Sequence, residues 1–82
     1  MIVVLFFGRM ADLAGQRRVE LPQVPEGQSL FSLRDRLLGA AIEAGHVEAR
    51  AIRVSLNRVV SPHDHAVADG DEVAFFSVFS GG

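Results

Sequence analysis

Two segments near the ends of this chain are apolar on both faces of a β-strand, and this feature constrains the fold more than any other. Residues 2–7 read Ile-Val-Val-Leu-Phe-Phe, and residues 72–79 read Glu-Val-Ala-Phe-Phe-Ser-Val-Phe. Because successive strand residues point to opposite faces, each segment presents apolar side chains on both sides. Strands of this kind belong in the middle of a sheet that is covered on both faces.

Only one long helix is available to cover such a sheet. Residues 29–44 place leucines at helical spacing between a serine suited to cap the helix and a glycine suited to end it. One helix covers one face, so we predict that the other face is an apolar surface for a partner. The alternative is that a short helix, through Met10 and Leu13, and the loop at residues 61–68 cover it.

Turn residues and apolar spacing divide the rest of the chain. Strands are predicted at residues 2–7, 18–21, 51–56, 59–60 and 72–79, and helices at residues 9–14 and 29–44. This order indicates an α+β domain with the ubiquitin-like β-grasp fold, a mixed sheet of about five strands with the long helix on one face. The first and last strands should be central neighbours. We expect a single domain over residues 1–82, with a flexible C-terminal tail at 79–82.

Composition excludes several classes of function. The chain has no cysteine, so it forms no disulfide, thiolate zinc site or iron–sulfur cluster. A net charge of −2 argues against nucleic acid as a partner, and the longest apolar run, residues 2–7, is too short to span a membrane. We therefore expect a cytoplasmic protein with no cofactor and no metal. His63-Asp64-His65 is interpreted as a solvated turn, because no third metal ligand is signalled nearby.

The chain ends in Gly81-Gly82, and two residues without a Cβ give a narrow backbone that fits a tunnel. The terminal carboxylate is ionised at neutral pH and is inert as an acyl donor until it is activated, for instance by adenylation with ATP. Because no cysteine is present, sulfur could not be held as a side-chain persulfide and would have to sit on the carboxylate of Gly82. All eight basic residues are arginine, so the chain also offers no lysine amine for conjugation.

Several motifs together carry a family resemblance that runs nearly from end to end. They are Leu5-Phe6-Phe7-Gly8, Ala11-Asp12-Leu13-Ala14-Gly15, Asp64-His65, the run from Asp69 to Phe76, and Gly81-Gly82. In these the chain resembles the small subunit of molybdopterin synthase, a family of ubiquitin-like sulfur carriers. It departs from the usual family pattern before the tail, where residues 77–80 contain no Pro-Pro pair.

The resemblance implies a sulfur carrier in molybdenum cofactor biosynthesis. An ATP-dependent, E1-like enzyme would adenylate Gly82, a sulfur donor system would convert it to a thiocarboxylate, and the sulfur would pass to the dithiolene of molybdopterin. The tail, with Gly81, Ser80 and Phe79, would thread into the large subunit of the synthase.

The resemblance also implies contact residues. Phe7 and Phe75 are candidates for contact with the large subunit, although either could instead be a core residue. The acidic cluster Asp69, Asp71 and Glu72 is a turn with a solvated face or, by analogy, a contact for arginines of the activating enzyme.

Three other functions stay open at this point. The Gly-Gly end also fits the sulfur carrier of thiamine biosynthesis and a ubiquitin-like modifier joined to target lysines. A β-grasp interaction module with an unused tail is the third. The sequence shows no catalytic machinery of its own, so any enzymatic role would be that of a subunit and co-substrate.

Overall fold

A five-stranded mixed sheet forms one layer of the domain, and the long helix lies across one of its faces. The structure is a computed structural model that describes residues 1–24 and 26–77. Its elements are β1 (Ile2–Phe6), α1 (Arg9–Ala14), β2 (Arg18–Leu21), α2 (Leu30–Glu43), a 3₁₀ turn (Ala49–Ala51), β3 (Ile52–Leu56), β4 (Val59–Val60) and β5 (Glu72–Ser77). No helix in this part of the chain is long and apolar enough to cross a membrane.

The strand order is β2-β1-β5-β3-β4, with β1 and β5 adjacent and parallel near the centre. Val4 pairs with Val73, and Phe6 pairs with Phe75. The β1–β2 and β3–β5 pairs are antiparallel. This topology confirms the predicted α+β arrangement and the predicted central neighbours. The 3₁₀ turn was not predicted from the sequence.

The core lies between the sheet and α2 and follows the alternation of the strands. From the sheet, every second residue of the two central strands enters the core. These residues are Ile2, Val4, Phe6, Val73 and Phe75. From the helices, Leu30, Leu33, Leu38 and Met10 complete it. Full burial of an aliphatic or aromatic side chain contributes about 1.5–3 kcal/mol, so this cluster is the main source of stability.

Three hydrogen bonds hold the N-terminus of α2. The Ser29 hydroxyl accepts from Ser32 N (3.2 Å), and the Ser32 hydroxyl accepts from Ser29 N (2.7 Å), which forms a capping box. The carboxylate of Asp64 accepts from Phe31 N (2.9 Å). These bonds satisfy amides that a helix start otherwise leaves unpaired. They also fasten the loop at 61–68 to the helix.

This loop and α1 do not cover the second sheet face. Met10 and Val67 belong to the core cluster on the side of α2. The loop is bound there by Leu30 N, which donates to His65 O (2.9 Å), and by a bridge between Ser29 and Ala66. The alternative cover considered from the sequence is therefore wrong, and the other face of the sheet is left open among the residues described.

The β3–β4 hairpin turns through Asn57 and Arg58, whose φ angles are +51° and +70°. Positive φ at both central residues is the signature of a type I′ turn, which matches the twist of the flanking strands. Asn57 suits this region, and its side chain bonds Asp71 Oδ1 (3.0 Å) and Glu72 N (2.9 Å). Arg58 has no such compensation beyond an exposed ion pair with Glu72 (3.5 Å).

We expect Arg58→Gly to raise the free energy of unfolding by about 0.5–1 kcal/mol, because relief of left-handed backbone strain outweighs the added entropy of the unfolded chain. Loss of the exposed ion pair should cost little. The control Arg58→Ala removes the same ion pair and keeps the strain, so it should not stabilise. Urea unfolding measures both, and an equal effect of the two variants would contradict the strain argument.

Candidate functional site

The four predicted tail residues Phe79, Ser80, Gly81 and Gly82 lie outside the described residues, and their roles stay predictions. The last described element is β5, which ends at Ser77. In the sequence five residues separate this point from the C-terminal carboxylate. The site can therefore be built from the residues that surround the end of β5.

The carboxyl end of β5 is enclosed by the neighbouring strands. Phe7 N donates to Phe75 O (3.0 Å), so on this side the pairing of β5 reaches Phe75, two residues before the end of the strand. On the other side, Ile52 pairs with Ser77, and Arg53 pairs with Phe76. The strand that carries the tail is thus paired on both edges as far as Phe75, and with β3 alone from Phe76 to Ser77.

The two predicted partner contacts have opposite environments. Phe75 is 0% exposed and stacks on Phe6, with 5.9 Å between ring centroids. The prediction that Phe75 contacts a partner is therefore wrong, because its position in β5 turns its ring into the core. Phe7 is 53% exposed, so its ring is accessible to a partner. That contact remains a prediction.

The open face of the sheet is apolar along its middle. One register row runs across all five strands through Arg18, Leu5, Ala74, Ser55 and Val60. Val60 is 59% exposed and Leu5 is half-buried, whereas the small central residues Ala74 and Ser55 are buried between their larger neighbours. This outer face, as we call it below, has no helix over it in the described part of the chain.

Phe76 lies on the outer face beside Arg53 and was not among the predicted site residues. It is half-buried, while its neighbour Phe75 is fully buried. The signal that identifies it is the strand alternation, since Phe76 shares a face with Ala74 and not with Val73. Of the two adjacent phenylalanines, the second is the one available to a partner.

Charge is distributed unevenly between the two ends of the sheet. Arginines cluster at the end where β5 finishes, and carboxylates cluster where β5 begins. The arginines are Arg9, Arg17, Arg18, Arg50 and Arg53, and the acids are Glu20, Asp69, Asp71 and Glu72. Asp12 lies beside Arg17 and Arg18, and Glu48 pairs with Arg50 (2.7 Å), so the border of the apolar surface carries acids as well as arginines.

The acidic cluster has partners within the chain. Asp69 contacts the N-terminal ammonium, and Glu72 pairs with Arg58 (3.5 Å). Asp71 accepts from Ala68 N (2.8 Å) and from the amide of Asn57 (3.0 Å), and these two bonds lower the pKa of Asp71 below its usual value. This supports the interpretation as a turn; contact with an activating enzyme stays a prediction.

The loop histidines do not assemble a metal site. Over residues 1–24 and 26–77, no three histidine, cysteine or acidic side chains come together in a way that could hold an ion. Asp64 instead accepts from Phe31 N and His65 N (both 2.9 Å). The role of Asp64 in the His63-Asp64-His65 motif is therefore to bind the start of α2.

Comparison with known proteins places this architecture in a family. The ThiS family model matches residues 4–82. The molybdopterin synthase sulfur carrier subunit of Escherichia coli (strain K12) is 33% identical over 86 aligned residues that cover all of both chains. The chain belongs to the ThiS family.

Solved structures agree with the fold. The crystal structure of SAMP1 from Haloferax volcanii has a TM-score of 0.74 and 30% identity, and the match covers 99% of this chain and 98% of that one. A crystal structure of H. volcanii small archaeal modifier protein 1 gives a TM-score of 0.70 and 28% identity, with 93% and 94% covered. The fold is the ubiquitin-like β-grasp that the sequence predicted.

Substitution by alanine should affect stability very differently at Phe75 and at Phe7. We expect Phe75→Ala to lower the free energy of unfolding by about 3–5 kcal/mol, because it leaves a cavity in the core. Phe7→Ala should change it by no more than about 0.5 kcal/mol, as is usual for an exposed site. Urea unfolding of both variants measures the difference. Similar losses in the two would contradict the placement of Phe75 in the core and Phe7 at the surface.

Proposed function

We propose that this member of the ThiS family is a sulfur carrier in molybdenum cofactor biosynthesis, with the sulfur held as a thiocarboxylate on Gly82. The observation that carries the proposal is the full-length similarity to a protein named as the sulfur carrier subunit of molybdopterin synthase. The family match also extends to residue 82, the glycine that would bear the sulfur.

The chemistry requires only the terminal carboxylate from this chain. An E1-like enzyme joins the Gly82 carboxylate to the adenylyl group of ATP, and pyrophosphate leaves. A sulfur donor then displaces AMP, which leaves a thiocarboxylate in place of the carboxylate. This chain contributes a reactive end and a surface by which partners hold it, while the catalytic groups belong to those partners.

The fold suits the handling of a reactive terminus. β5 bonds to β1 on one side and to β3 on the other, and Phe75 anchors it in the core. Beyond Ser77, five residues span at most about 17 Å when extended. A partner that seats the domain firmly therefore positions the terminus within a short, defined reach.

The outer face is the surface that we propose for the large subunit of molybdopterin synthase. Phe7 and Val60 give it exposed apolar side chains, and Phe76, half-buried on β5, lies between them. Apolar and aromatic side chains near the centre of an interface supply most of its binding energy. Phe76 takes the place in this proposal that the sequence had given to Phe75.

A protein modifier is the second candidate, favoured by the similarity to SAMP1 of H. volcanii. A modifier and a sulfur carrier share the first step, adenylation of Gly82. They differ in the nucleophile that attacks the acyl-adenylate. They also differ in the product, which is a thiocarboxylate for the carrier and an amide bond to a target lysine for the modifier. The two functions can therefore be separated by the fate of the activated terminus.

Incubation with an E1-like adenylating enzyme, ATP and a sulfide source should produce a single product, heavier by the replacement of one oxygen with one sulfur. Intact-mass spectrometry measures the change. The variant that lacks Gly82 should fold normally and gain no sulfur, because its new terminus at Gly81 would lie one residue short of the activating centre. Conjugates of high mass with lysine-bearing proteins would favour the modifier, and sulfur gain without Gly82 would contradict the carrier mechanism.

Charge placed on the outer face should weaken the complex with the large subunit. We expect Phe7→Asp and Val60→Asp each to raise Kd by about tenfold or more, because an apolar contact would be replaced by a desolvated carboxylate. Titration calorimetry with the purified large subunit measures Kd.

The matched control is Val59→Asp. Val59 precedes Val60 in β4, is 69% exposed, and points to the opposite side of the sheet. It should leave Kd within about twofold, because its side chain lies away from the proposed contact. An equal effect of the aspartates at 59 and 60 would contradict docking through the outer face.

A further inference from the structure

β2 is the last strand at one end of the sheet, and in the described part of the chain no strand lies beside its outer edge. Phe6 N donates to Arg17 O (2.9 Å), so by alternation Val19 also turns its main-chain groups toward β1. Arg18 and Glu20 therefore turn theirs away from the sheet. Both residues are exposed, and none of the hydrogen bonds among the described residues uses these N–H and C=O groups.

The usual protection of an exposed strand edge is missing from β2. Proteins commonly block such edges with a proline, a bulge or charges that repel a second strand. The pairing of β2 with β1 is regular, and no proline lies within Arg18–Leu21. The two edge residues carry opposite charges, and they form an ion pair (2.8 Å) whose side chains are 55% and 43% exposed. An exposed pair of this kind contributes little, so it can exchange partners at small cost.

These charges select one register in which β2 matches a second copy of itself. In an antiparallel pair, two opposite residues whose main-chain groups face each other exchange two hydrogen bonds. When Arg18 lies opposite Glu20 of the second copy, both outward-facing residues of each strand find such a partner. The neighbouring registers place Arg18 opposite Arg18 or Glu20 opposite Glu20, and like charges directly opposite each other are destabilising.

We propose that β2 pairs antiparallel with β2 of a second copy of this chain, which joins two sheets into one. Arg18 of each copy faces Glu20 of the other, and Val19 faces its own equivalent at the two-fold axis. Val19 is half-buried beside the core, so the two valines add an apolar contact at the centre of the pair. Because β2 has four residues, the contact is small and the dimer should be weak and reversible.

Such a dimer leaves the surface proposed for the large subunit uncovered. The two-fold axis of the pair is perpendicular to the sheet, so both outer faces lie on one side and both copies of α2 lie on the other. From β5 to its copy there are five strand spacings, about 24 Å. The pairing uses none of Phe7, Val60, Phe76 and the tail. The proposal therefore goes beyond sulfur transfer and is compatible with it.

Sedimentation equilibrium of the full-length protein, at concentrations up to about 1 mM, measures dimer formation. In spectra of the ¹⁵N-labelled protein over the same range, we expect the amides of Arg18 and Glu20 to shift, because the second copy gives each an acceptor. The amide of Val60, at the opposite end of the sheet, should stay in place. A protein that remains monomeric at about 1 mM would overturn the proposal and favour a strand of a different protein as the occupant of this edge.

Exchange of the two charges tests the register. Glu20→Arg places arginine opposite arginine at both positions of the pair, and Arg18→Glu places glutamate opposite glutamate. Each variant alone should dimerise about tenfold more weakly than the natural chain. An equimolar mixture of the two variants pairs arginine with glutamate at both positions, so the mixture should recover the dimer. Failure of the mixture to associate more tightly than either variant would overturn the proposal.

Two controls separate the edge of β2 from the rest of the surface. Arg36→Glu, on the exposed side of α2, changes the net charge as Arg18→Glu does and should alter the dimer constant by less than about twofold. Val60→Asp, on the outer face at the far end of the sheet, should also change it by less than about twofold. Equal weakening by Arg36→Glu and Arg18→Glu would overturn the proposal in favour of diffuse charge effects, and loss of the dimer in Val60→Asp would do so in favour of pairing through the outer face.

A proline tests the main-chain bonds directly. The N–H of Glu20 points away from β1, so Glu20→Pro removes no hydrogen bond within the sheet, and proline is tolerated at such edge positions. It should abolish the dimer, because each copy loses a donor, and a dimer that persists would exclude strand pairing. Deletion of Gly82 should leave the dimer unchanged, so failure of this proposal and failure of the carrier proposal give different results.

Discussion

The parallel pairing of β1 with β5 is the interaction on which the rest of the molecule depends. It joins the two ends of the chain at the centre of the sheet, with Phe6 stacked on Phe75. A parallel pair of this kind needs a long crossover, and the chain supplies it with α2, which then covers the core face. The same pairing fixes where the C-terminal residues leave the domain.

The open outer face follows from this pairing and its single covering helix. The central strands are apolar on both sides, but a chain of 82 residues provides one long helix. A domain of this size leaves a large part of its surface in contact with water, and an apolar strip is a cost unless another protein covers it. The outer face nevertheless carries apolar side chains, which are Leu5, Phe7, Val60 and Phe76. The outer face surrounds the end of β5, so a protein that covers it would also lie next to the start of the tail.

Local signals in the sequence were sufficient for most of the elements. Ser29 and the glycine after α2 define the ends of that helix, and the apolar runs define β1 and β5. The assignment of Phe75 to a partner surface failed because it came from a resemblance, whereas alternation from Val73 places Phe75 in the core. The 3₁₀ turn at Ala49–Ala51 had no local signal. It connects the segment after α2 to β3, and its geometry is a product of tertiary packing.

The outer face and the pairing of β3 with β5 together explain how a small domain can be both held and oriented. An apolar face alone fixes the plane of contact but permits sliding and rotation, because burial of apolar area is not directional. The main-chain bonds between β3 and β5 have a fixed direction, and Ile52 pairs with Ser77 at the end of β5. A partner that binds the outer face would therefore also hold β5, which pairs with β1 and β3 beneath it. It would also set the direction of the five residues after Ser77, and a carrier whose load lies on its last atom depends on that direction.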